Sequence, residues 1–60
     1  MEHMNRASAI SAMEDHCASI PDEADRGDVA GAVEYWHTLS DQQLAWQVED
    51  VLNKTVVITS

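Results

Sequence analysis

A mainly α fold, three short helices followed by a C-terminal extended β-like tail, is what this sequence predicts, and three observations carry it. Apolar residues recur at spacings of three and four through most of the chain, which at 3.6 residues per turn sets them on one helix stripe. Capping and breaking residues fall at the ends of three such stretches. The last residues instead form a β-branched run, which favours extended backbone.

The first helix is expected from about Asn5 to Ser19, with Ile10, Met13, Cys17 and Ile20 on its stripe. Ala7, Ala9, Ala12 and Ala18 favour helix without adding bulk, and Pro21 ends the element because the residue before a proline is pushed out of helical geometry. The acidic stretch from Pro21 to Asp28 is expected to make a short turn broken at Gly27. A second helix follows from Asp28, a good N-cap, with Val29, Ala32, Val33, Trp36 and Leu39 on one face. The third helix has the best-marked start. Ser40 and Gln43 form a capping-box pair, and Leu39 and Leu44 are placed as a hydrophobic staple. Leu44, Val48, Val51 and Leu52 make its buried stripe, and Asn53 is a left-handed stop.

Five β-branched residues from Thr55 to Thr59 read as a strand. No second strand-like segment is apparent, and a lone strand leaves its backbone groups unsatisfied. The tail must pair between chains, extend a partner's sheet, or pack as coil or fray; the expectation is a homodimer in which two tails pair or cross over, with Val56, Val57 and Ile58 as dimerisation residues. Small size points the same way. A chain of 60 residues buries only about 60% of the surface its unfolded form exposes, and a single cysteine, Cys17, excludes an internal disulfide.

The organisation expected is a cloning remnant over 1–3, a single helical domain over 4–53 and an extended tail over 54–60. The opening Met1-Glu2-His3-Met4 suggests the remnant, because His-Met is what a common restriction site encodes before a second start codon. No apolar run approaches the roughly 20 residues that span a bilayer, and no basic-then-apolar leader opens the chain. A soluble, cytoplasmic protein with Cys17 reduced is expected.

Eleven acidic residues against three basic ones give a net charge of -8 and a pI of about 4.3. Direct nucleic-acid binding is thereby disfavoured, since Arg6, Arg26 and Lys54 cannot form a phosphate-binding stripe. An anionic membrane surface is disfavoured on the same ground. A basic protein surface is the partner this charge suits.

Catalytic and metal chemistry find little footing. With Gly27 aligned to the glycine of a calcium loop, Asp22 fits the first position, but Ala24, Arg26 and Val33 fall where oxygen ligands are needed. His16 and Cys17 are adjacent, and consecutive helix residues point about 100° apart, so they do not share a metal or form a nucleophile and base. Glu14-Asp15 and Glu49-Asp50 are expected on solvated faces, with no cleft to split their pKa values. Neither an enzyme nor a cofactor site is expected. Gly27 and Gly31 have GxxxG spacing without its apolar membrane context, and are expected to mark a helix start and a close helix contact.

Two features remain. Asp22, Glu23, Asp25 and Asp28 crowd into seven residues, and Glu34, Asp41, Glu49 and Asp50 follow on the next helices; converging on one face, they would imitate the spaced charge of nucleic acid. Trp46 projects roughly 160 to 180° from the buried stripe of its helix, where it would serve as an interface anchor. The expected function is that of a small acidic protein-binding module acting stoichiometrically. It would inhibit or modulate a larger protein with a basic site, in the manner of a phage or mobile-element inhibitor. Asp22, Glu23, Asp25, Asp28, Glu49 and Asp50 would supply steering and ion pairs, and Trp46 with Tyr35 the apolar anchor. The competing expectation is a structural or regulatory homodimeric adaptor that docks by apolar packing.

Overall fold

The computed structural model of the protein describes residues 2–59. Met1, the first residue of the expected cloning remnant, and Ser60, the last of the expected tail, lie outside the described residues. The element order is β1 (Glu2–Asn5), α1 (Arg6–Ala18), α2 (Glu23–Arg26), α3 (Val29–His37), α4 (Asp41–Leu52) and β2 (Val56–Thr59). The protein is mainly helical, with a short C-terminal strand.

Each helix begins where a short polar side chain accepts an orphan backbone N–H. The Asn5 carboxamide oxygen accepts from Ser8 N at 2.7 Å, Asp22 from Ala24 N at 2.9 Å, and Asp28 from Gly31 N at 3.0 Å. At Ser40 the capping box is complete. Gln43 N donates to Ser40 Oγ, and Ser40 N donates to Gln43 Oε1, both at 3.2 Å. The acidic stretch folds into one helical turn, α2, which Gly27 ends at φ 65°, a conformation that favours glycine. Asn53 closes α4 in the left-handed region, with φ 56° and ψ 40°.

The core gathers the stripes of these helices. Met13, Leu44 and Val48 are fully buried, and Ala9, Ile10 and Trp36 join them. Cys17, Ala32, Val33, Leu39, Val51 and Leu52 pack around that centre half-buried. Arg6 ties the layers together. Its guanidinium donates to the Asp41 carboxylate at 2.8 Å and to the Leu39 carbonyl at 2.7 Å, joining the start of α1 to the α3–α4 turn.

The C-terminal strand has its partner inside the chain. β2 pairs in parallel with β1, Glu2 beside Val56, His3 beside Val57, Met4 beside Ile58 and Asn5 beside Thr59. The expectation that no second strand existed is corrected: Glu2-His3-Met4-Asn5 lacks β-branched character, yet its backbone supplies the donors and acceptors that β2 needs. Glu2 and His3, expected to belong to a remnant, are thus part of a sheet. Val56 and Ile58, expected at a dimer interface, turn into the monomer's own core at 5% and 8% exposure, and of the three only Val57 is exposed. An unpaired strand is thereby no longer a reason for expecting tails paired between chains.

The glycine expectation is also corrected in part. Gly31 lies in the first turn of α3, and a Cβ there would meet the Asp28 carboxylate that caps the same helix, not a neighbouring helix.

Candidate functional site

Trp46 stands on the outer side of α4 at 59% exposure, and Tyr35 on α3 is 55% exposed. Helical geometry accounts for the first, because Leu44 and Val48 take the inward positions on either side of it. The two rings line one shallow depression of about 200 Å³ with Leu39, Gln43 and Gln47.

On its other side Trp46 borders a larger groove of about 400 Å³ between α4 and β2. Asp41, Gln42, Ala45, Trp46 and Glu49 form the helical wall, and Thr55, Val56, Val57 and Ile58 the other. Side chains of successive strand residues point to opposite faces. Three consecutive strand residues, Val56 to Ile58, therefore share a wall only where the groove runs along the strand's edge. This wall was not legible in the sequence, because it exists only once β1 has fixed β2 against the helices.

The carboxylates predicted to act together fall in two places. Asp22, Glu23, Asp25 and Asp28 are exposed on α2 and its flanks, where Asp22 and Asp28 also serve as caps. Glu49 and Asp50 are exposed on α4, and Glu49 lies on the groove with Trp46. Glu14 and Asp15 are likewise exposed on α1.

All three cationic side chains of the chain are engaged internally. Arg6 holds Asp41, Lys54 holds Glu2 at 3.2 Å, and Arg26 donates to the Ile20 carbonyl at 3.2 Å. Of the eleven carboxylates, Glu2 and Asp41 are thus in ion pairs, and the other nine have no cationic partner within 4 Å among the described residues. The field presented outward is anionic as a consequence.

Cys17 is a free, half-buried thiol that packs against the core. Among the described residues no three His, Cys, Asp or Glu side chains are grouped as a metal ion would need, and no helix is long and apolar enough to cross a membrane. No family model, curated protein or solved structure matches this chain, so what its surface does has to be argued from its own geometry.

Proposed function

We propose that the chain is a stoichiometric binding module that attaches to a basic site on a larger protein and inhibits or modulates it. The observation that supports this most directly is the exposed Trp46, set between two depressions on a surface whose carboxylates outnumber their internal cations. Charge without such a foothold would attract many basic proteins loosely; an aromatic ring beside it supplies the desolvated contact that fixes one. Asp22, Glu23, Asp25 and Asp28 form the steering cluster in this proposal, Glu49 and Asp50 the charges nearest the anchor, and Trp46 with Tyr35 the anchor itself. Spaced carboxylates of this kind imitate phosphates, which suits a nucleic-acid mimic of the type that mobile elements direct at host proteins. The setting proposed is the cytoplasm, where Cys17 stays reduced.

The apolar walls beside Trp46 favour one competing reading, an adaptor that docks by packing and uses its acidity for solubility. Salt separates the two. The immobilised chain is loaded with cell lysate and eluted by a salt gradient, beside a Trp46→Ala variant and an Asp22→Asn, Glu23→Gln double variant. Charge-led capture is released at moderate ionic strength and weakened in both variants. Retention that ignores salt and the carboxylate changes, but is lost with Trp46→Ala, supports packing; no stoichiometric capture under any condition rejects both.

A further inference from the structure

We propose that the groove beside Trp46 binds an extended, basic peptide segment, which adds to the open edge of β2 as a third strand. This deepens the proposed function, on which it depends, by naming the chemistry of the partner and its mode of attachment. The sheet has two strands in the order β1–β2, so among the described residues the far edge of β2 has no strand beside it. Such an edge presents a row of N–H and C=O groups ready to pair with another backbone. Here that edge forms one wall of a groove, because Val56, Val57 and Ile58 of β2 line it in unbroken succession, with Thr55 just before them. The opposite wall is a helix carrying Ala45 and the Trp46 ring. An added strand would satisfy the edge and turn alternate side chains toward that apolar wall, which is how strand addition combines backbone affinity with side-chain selection.

Charge decides the occupant. The groove is lined by Asp41 and Glu49 and by no basic residue. Asp41 is already held by Arg6, whereas Glu49 has no cationic partner within 4 Å among the described residues. A second copy pairing edge to edge would bring two chains of net charge -8 together with their Glu49 residues near the junction. Self-repulsion opposes that, while a segment alternating apolar and cationic residues seats its apolar side chains against the ring and brings its positive charge, on the opposite face, into the anionic field of the chain. The strand of four residues spans about 13 Å, the reach of a comparably short segment.

The test uses the full chain and a capped peptide of alternating lysine and valine, followed through backbone amide NMR, with tryptophan fluorescence beside it for the chain that keeps Trp46, at about 20 mM salt. Two isomers of that peptide carry N-methyl groups on three valines or on three lysines, which leaves their charge equal but blocks one edge or the other. The expected result is that one isomer binds about tenfold or more weakly than the parent while the other stays within about threefold. Amides of β2 should gain protection with the parent, and Trp46→Ala should weaken it about fivefold or more. Equal responses of the two isomers, retained or lost, overturn strand addition and leave charge-led binding standing. No binding of the parent at about 1 mM overturns the basic peptide as occupant, while lysate capture independently decides the wider proposal. Concentration-dependent dimerisation that the peptide fails to displace assigns the edge to a second copy and also overturns it.

Discussion

Met4 and Ile58, from opposite ends of the chain, stand side by side in parallel register across the two-stranded sheet. Parallel neighbours need a long crossover between them, and here the whole helical body provides it. The sheet consequently closes the fold, with the inward side of β2 delivering Val56 and Ile58 to the core.

Removing the residues before Met4 should therefore cost stability although Glu2 and His3 are exposed themselves. Backbone hydrogen bonds contribute about 0.5 to 1.5 kcal/mol each, and the exposed Glu2–Lys54 pair adds little. A chain beginning at Met4 is expected to lose about 1 to 2 kcal/mol, read from urea unfolding. An unchanged midpoint would show that the Glu2 and His3 half of β1 contributes nothing to stability.

Arg6 should be the most sensitive polar residue. It contacts Asp41 and the carbonyl of Leu39 at once, a forked geometry that lysine cannot reproduce. Arg6→Ala is expected to lose about 1 to 2 kcal/mol, since the site is partly exposed and charged hydrogen bonds are weakened there. Arg6→Lys should recover less than half of it, and full recovery would reduce the residue's role to its charge.

At Gly31 two opposing effects meet. Glycine to alanine inside a helix ordinarily gains about 1 kcal/mol, but the new Cβ would displace the Asp28 carboxylate that caps α3, a loss of about the same size. Gly31→Ala alone should thus be near neutral. In an Asp28→Ala background the gain should appear in full, and a thermal double-mutant cycle without coupling would contradict the assigned conflict.

Core and surface should respond oppositely to truncation. Met13 is fully buried, and Met13→Ala should cost about 2 to 4 kcal/mol in a scaffold whose core rarely supplies more than about 3 to 5 kcal/mol. Its urea unfolding midpoint is expected to fall by about half or more. Trp46→Ala, at an exposed position, should leave the circular dichroism melt almost unchanged while weakening partner capture. A large loss of stability there would recast Trp46 as a packing residue.

What the sequence determined by itself is the helical body. Asn5, Asp28 and Ser40 begin helices and Asn53 ends one through bonds within a single turn, and the stripes through Met13, Trp36 and Leu44 follow from the 3.6-residue repeat, so both can be read from neighbours alone. Tertiary structure alone decided what becomes of β2. Glu2-His3-Met4-Asn5 has no strand periodicity, and it is extended because its backbone pairs with β2, which the helical body brings beside it. The groove beside Trp46 inherits that dependence. A strand edge becomes a wall only when another part of the chain holds it in place, and contacts between distant segments leave no local spacing in a sequence to reveal them.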